Sequence, residues 1–174
     1  MNPRKSLKEL NLLDKFLFDE AMDDPENVKT MLDIILSQNT NLKHPPQTEK
    51  EQRRSPDNRQ IQLDVYAVDE DDVIYEVEAQ KENTHNLPKR SRLYQGIIDS
   101  KLLPPGVVDF NLLNEVLIVL IMPFDLFGYG LYRYTFHMRC EEVPELKLND
   151  GATRIFLNTR GKHPELVSPE LIEL

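Results

Sequence analysis

The stretch from Arg59 to Gln80, RQIQLDVYAVDEDDVIYEVEAQ, constrains the fold more than any other part of the chain. Apolar and polar residues alternate on both sides of Glu70-Asp71-Asp72, the pattern of two strands joined by an acidic turn. Ile61, Leu63, Val65 and Ala67 share one face of the first strand, and Val73, Tyr75, Val77 and Ala79 share one face of the second. The opposite faces carry Gln62, Asp64 and Tyr66, and then Glu76, Glu78 and Gln80. A three-residue turn sets Val68 opposite Ile74, and that register sets Asp64 opposite Glu78, with Cβ atoms roughly 4.5–5.5 Å apart. A slip of one residue would send the two carboxylates to opposite faces. Two carboxylates this close repel, and a divalent cation relieves the repulsion, hard oxygen ligands being suited to Mg²⁺. A solvated hairpin face that carries charge is the other reading of the same spacing.

An Asp on one strand followed by Glu-x-Lys on the next strand of a hairpin is the signature of the PD-(D/E)XK nuclease fold. This segment resembles it, with Asp64 and Glu78-Ala79-Gln80 in the matching places. Gln80 stands where the general pattern has lysine. A subgroup of recombination-promoting nucleases and transposase-like proteins often has Glu-x-Gln there. LLDKFLFDEAM, LDVYAVDEDDVIYEVEAQ, RSRLYQGIID, FDLFGYG and IFLNTRG are all similar to that subgroup, so the resemblance covers about residues 7 to 161. It implies an α/β fold, a restriction-endonuclease-like three-layer sandwich with a mixed central β-sheet flanked by helices. It implies a metal-dependent DNA endonuclease that hydrolyses phosphodiester bonds, linked to transposition or recombination. Asp64, Glu78 and the carbonyl of Ala79 would hold Mg²⁺, with Mn²⁺ as a substitute, and Gln80 would orient the attacking water. Arg90, Tyr94 and Gln95 fall in the motif that offers polar groups to the nucleic acid, and Asp14 matches an acid on the first helix that reaches toward the site. Relatives continue into a further helical region, which implies a shortened member or a fragment.

Gln80 is neutral and a poor base, so it cannot act as a charged helper. That departure, with the acidic net charge, favours the alternative of an inactive nuclease-fold module used for binding or regulation. A phosphodiesterase acting on a small substrate is a third reading. Strand alternation turns Lys81 away from Gln80, so a compensating cation is expected from Arg90 or Lys101. Cutting both strands of DNA with one site per chain is simplest for a two-fold homodimer.

The 174 residues suit one domain over 1–174, and a hydrophobic content of 40% suffices for a core. The lone cysteine, Cys140, excludes an internal disulfide framework and suits a reducing cytoplasm. Met1-Asn2-Pro3-Arg4-Lys5 opens no signal peptide, and the apolar run Val116 to Met122 is too short for a bilayer, so no membrane partner is expected. FDLFGYG lacks the spelling of a phosphate-cradling loop, so no nucleotide cofactor is expected. A net charge of −9 argues against a passive nucleic-acid coat, though basic groups are locally clustered at Arg53, Arg54 and Arg59 and at Lys89, Arg90 and Arg92. Either cluster also reads as ordinary solvated surface.

Around the hairpin the remaining elements follow from periodicity and caps. Residues 7 to 22 suit an amphipathic helix with Leu12, Leu13, Phe16, Leu17, Ala21 and Met22 on its stripe. Asp24 caps a second helix with Pro25 at its first position and Val28, Met31, Leu32, Ile35 and Leu36 on the buried face. Residues 44 to 58 are polar and proline-bearing and predict a loop, in which His44 has no partner at metal-ligand spacing. A helix from Pro88 to about Lys101 aligns Arg90, Tyr94, Ile97 and Lys101 on one face. Leu112 to Met122 predicts a central strand buried on both sides. Leu131 to Cys140 and Arg154 to Thr159 predict two more strands.

Overall fold

In the computed structural model, which describes residues 13–52 and 61–174, the helices are α1 (Lys15–Met22), α2 (Pro25–Leu36), α3 (Leu87–Asp99) and α4 (Pro169–Glu173). The strands are β1 (Gln47–Gln52), β2 (Ile61–Val68), β3 (Ile74–Ala79), β4 (Val116–Met122), β5 (Arg133–Phe136) and β6 (Ala152–Asn158). They form one six-stranded sheet in the order β1-β2-β3-β4-β6-β5. The β3–β4 and β4–β6 pairs are parallel and the others antiparallel, so the sheet is mixed. Arg53, Arg54 and Arg59, one of the two basic clusters, lie outside the described residues.

Helices cover both faces. Phe18 and Met22 of α1 and Val28, Met31, Leu32 and Ile35 of α2 pack against Val65, Ala67, Tyr75, Val77, Val119, Ile121, Ile155 and Leu157. Leu87, Tyr94, Ile97 and Ile98 of α3 pack on the other face against Ile74, Val116, Ile118, Leu120, Met122 and Phe156. This is the expected three-layer α/β sandwich. β4 sends alternate side chains into both cores, which is why its sequence is a continuous apolar run. Asp24 caps α2 as expected, its carboxylate accepting the Glu26 N–H at 3.0 Å. Among the described residues no helix is long and apolar enough to cross a membrane.

Several features depart from or add to the expectations: Leu112 lies in a 3-10 turn before β4, and the strand expected over Leu131 to Cys140 is only Arg133–Phe136. Gln47–Gln52, placed in a loop, is the edge strand β1, paired to β2 from Gln47–Tyr66 to Gln52–Ile61. QTEKEQ has no apolar alternation because an edge strand can be held by its backbone ladder alone. Phe18, left out of the predicted α1 stripe, is the buried anchor of that helix. In FDLFGYG, Phe127 is packed against Tyr134, Phe136 and Phe156, and Tyr129 is the aromatic left exposed. The Asp125 carboxylate shapes that loop by accepting the N–H groups of Phe127, Gly128 and Gly130 and the Tyr134 hydroxyl. Finally, Leu63 packs on the α3 side while Val65 and Ala67 pack on the α1/α2 side. The regular β2–β3 ladder stops at Val65–Val77, and beyond it the Ala79 N–H donates to the Asp64 carboxylate at 3.2 Å. A side chain completing the ladder frees this end of β2 from strict alternation.

The hairpin turn itself is as read, with Val68 paired to Ile74. Asp69 fixes it. Its carboxylate accepts the N–H groups of Asp71 (3.0 Å) and Val73 (2.9 Å) and the Tyr75 hydroxyl (2.6 Å). Asp72 takes the left-handed conformation that closes the turn, at φ 62°.

Candidate functional site

The β2–β3 ladder ends at Val65–Val77, and just beyond it the Asp64 carboxylate accepts the Ala79 N–H at 3.2 Å, next to Glu78 where β3 ends. In open α/β sheets ligands gather outside the carboxyl ends of parallel strands, and Glu78 and Ala79 end such a strand. Both carboxylates are buried, Asp64 at 8% and Glu78 at 5% exposure, and burial on this scale demands compensation. Each has a cation. Lys15, at the start of α1, donates to Asp64 Oδ1 at 3.0 Å, and Asp64 Oδ2 accepts the Ala79 N–H. Arg90, in the first turns of α3, forms an ion pair with Glu78 Oε1. Burial draws the Lys15 ammonium down, but Asp64 and then Asp19 outweigh it and hold its pKa above the ordinary value.

Arg90 links most of the predicted site. Besides Glu78, it donates to Gln80 Oε1 at 2.8 Å and to the Tyr94 hydroxyl at 3.1 Å, and its guanidinium lies 5.5 Å from the Tyr94 ring centroid. Gln80 is held at its other end too, with Nε2 donating to the Glu82 carbonyl at 2.6 Å. Tyr94 is buried, and that burial raises its hydroxyl pKa. Gln95 points elsewhere: its amide donates to Asp99 at 2.9 Å, and its Oε1 is buried without a partner. Asp14 precedes α1 and pairs with Lys81, on the side to which alternation sends that lysine. The structure therefore joins Glu78, Gln80 and Tyr94 through Arg90, sets Asp64 at the end of β3 with Lys15 as its cation, and leaves Asp14 and Gln95 with other partners.

Two residues were not foreseen. Lys15 reaches Asp64 from 49 positions away, and its sequence signal is adjacency to Asp14. Glu76 lies on the face expected to carry Glu78 and Gln80, but nothing in the spelling marks it. It is fully buried, and neither carboxyl oxygen has a partner. Burial first, and the Asp64 charge second, push its pKa well above the carboxylate range against the pull of Arg90.

In donor type Asp64 and Glu78 fit a hard divalent cation, and the buried, unpartnered Glu78 Oε2 is an oxygen such an ion would satisfy. Among the described residues no three His, Cys, Asp or Glu side chains gather closely enough to hold a metal by themselves. Mg²⁺ commonly binds through one or two carboxylates and takes the rest of its shell from water and substrate phosphate. No family model, curated protein or solved structure matches the chain.

Proposed function

We propose that the chain is a metal-dependent endonuclease of the PD-(D/E)XK type acting on DNA phosphodiester bonds. The observation that carries this reading is the buried pair Asp64 and Glu78 on adjacent strands, with Arg90 bridging Glu78, Gln80 and Tyr94 beside it. Asp64 and Glu78 would hold Mg²⁺, or Mn²⁺ in its place. When bound, the ion would supply a water of lowered pKa and neutralise charge developing on the phosphate. Arg90 would shift from Glu78 to the scissile phosphate, and its donors would steady the phosphate oxygens. Gln80 and Tyr94 position that guanidinium through their hydrogen bonds. Lys15, which pairs with Asp64, would supply the ammonium that position 80 lacks, available to the anionic substrate when Asp64 holds a metal. A reducing cytoplasm suits the free thiol of Cys140, and a homodimer would bring two such sites to the two strands.

The second reading is a nuclease-fold module without chemistry, used for binding or regulation. It is favoured by the state of the carboxylates, each already neutralised by a cation of the chain, and by the neutral Gln80. One experiment separates the two. Mg²⁺ and Mn²⁺ are titrated calorimetrically into wild type and into the Asp64→Asn/Glu78→Gln double variant, and the same proteins are then assayed for plasmid nicking. Metal binding and nicking that both vanish in the double variant support the nuclease. Absence of metal binding in the wild type sinks it and leaves the binding module.

A further inference from the structure

Two sequence motifs, FDLFGYG and IFLNTRG, lead into loops at the end of the sheet that carries the carboxylate pair, yet contribute nothing to that pair. β3, β4 and β6 run parallel, so the loops that follow β4 and β6 leave the sheet where β3 delivers Glu78. Phe124, Leu126 and Phe127 seat the first loop on the α3 side, the side on which Arg90 meets Glu78. The two loops are tied to each other. The Lys162 N–H donates to the Gly130 carbonyl at 2.7 Å. The buried Asn158 side chain donates to the Leu131 carbonyl at 3.1 Å and accepts the Arg160 N–H at 2.9 Å. Gly161 has no room for a Cβ, because the Tyr132 ring lies against it. On this braced support Tyr129 stands between Gly128 and Gly130, at φ 82° and 71°, with an exposure of 76%. Aromatic rings gain more than most side chains from burial, so a ring held out by a rigid loop is a surface for a flat partner. Arg160 and Lys162, on the loop tied to it, are exposed, and neither forms an ion pair among the described residues.

We propose that these loops form a stacking platform for DNA, with the Tyr129 ring on the face of an unpaired base and Arg160 and Lys162 on the phosphates beside it. The proposal rests on the nuclease reading for its ligand, and it narrows the substrate to DNA with an unpaired base near the cut. A base inside a closed duplex has both faces covered by its neighbours. An unpaired base offers one of them to an aromatic ring, whatever its identity, so the contact selects DNA form and not sequence. In a chain of net charge −9, two cations left without a carboxylate are a local match for a polyanion. Their contacts with the backbone would fix where the strand lies, since phosphate contacts position and do not specify.

The test uses the full chain in EDTA, where binding is read without cleavage. A single-stranded oligonucleotide containing 2-aminopurine reports stacking through its fluorescence, and the anisotropy of an end label reports affinity. Tyr129→Ala should bind the strand roughly tenfold more weakly and lose the 2-aminopurine signal, while Tyr129→Phe should retain both. Arg160→Gln/Lys162→Gln should bind with a salt slope shallower by about one and keep the signal at saturation. Relaxed closed-circular DNA, used as competitor, offers no unpaired base and should bind wild type and Tyr129→Ala alike. Thermal midpoints should match throughout, because the substituted side chains are exposed. Unchanged affinity and signal in Tyr129→Ala overturn the platform and leave the nuclease reading standing. So does an equal loss on closed-circular DNA, or a wild type that binds the circle but not the strand. A wild type that binds the strand and never nicks with Mg²⁺, the Tyr129→Ala loss still seen, sinks the nuclease reading and supports the platform. A wild type that binds neither DNA even at low salt overturns both.

Discussion

Glu76 carries a carboxyl that neither solvent nor any donor reaches, between Asp64 and Arg90 in the electrostatics of the site. An unpaired buried polar group costs about 1–3 kcal/mol, and more if it is charged. Because burial raises its pKa in the folded chain, the folded state binds this proton more tightly than the unfolded state, whose carboxyl titrates near 4.5. The associated stability is fully present below that value and is lost as pH rises toward the folded pKa. We predict that Glu76→Met gains about 1–3 kcal/mol at pH 8 and loses this part of the pH slope, measured by urea denaturation over a pH series. A Met variant less stable than wild type at pH 8 would show that the carboxyl finds a partner in solution. The same substitution in the nicking assay would tell whether that destabilising group serves the reaction.

At the scale of elements, the hairpin was legible because both of its strands alternate with period two and its turn is a run of acids. What sets the register is less visible: Asp69 gathers Asp71, Val73 and Tyr75, and no pattern distinguishes it from the acids beside it. We predict that Asp69→Ala costs about 2–4 kcal/mol in a denaturant melt, because it opens the turn and strands the Tyr75 hydroxyl, on a residue 1% exposed. Tyr75→Phe should cost less, since it removes only the hydroxyl bond to Asp69 Oδ2 and leaves the two backbone bonds to Oδ1 that hold the turn. A loss under about 0.5 kcal/mol in the Ala variant would mean that strand pairing alone fixes the turn. β1 was missed for the opposite reason, being held by main-chain bonds to β2 with no apolar face to announce it. The break of alternation at Leu63 was equally hidden, since a side chain entering a ladder leaves no period behind.

For the whole molecule, the three-layer arrangement was implied by the family resemblance, and the continuous apolar run of β4 agreed with it by predicting a strand buried on both sides. The pairing of the site was not readable from the sequence. Lys15 and Arg90 arrive on Asp64 and Glu78 from opposite layers, α1 and α3, and only packing of both helices on the sheet brings them together. Under the proposed function a divalent cation would compete with those ion pairs for the same oxygens, which would make metal affinity and fold stability one linked quantity. Arg90→Ala leaves the Glu78 carboxylate buried without its cation, and in EDTA that should lower stability by about 3 kcal/mol. A metal that binds the folded chain stabilises it by about 2.7 kcal/mol at a hundred times its dissociation constant. In the variant Mg²⁺ no longer has to displace the guanidinium from Glu78, so it should bind more tightly than in wild type. We therefore predict that a given excess of Mg²⁺ raises the melting temperature of Arg90→Ala by more than that of wild type, and that of Asp64→Asn/Glu78→Gln not at all. Under the proposed function nicking by Arg90→Ala should nevertheless fall, because the same guanidinium would be the group offered to the phosphate. If Mg²⁺ shifted the three proteins equally, the ion would be acting elsewhere on the acidic surface, and the carboxylate pair would belong to the fold alone.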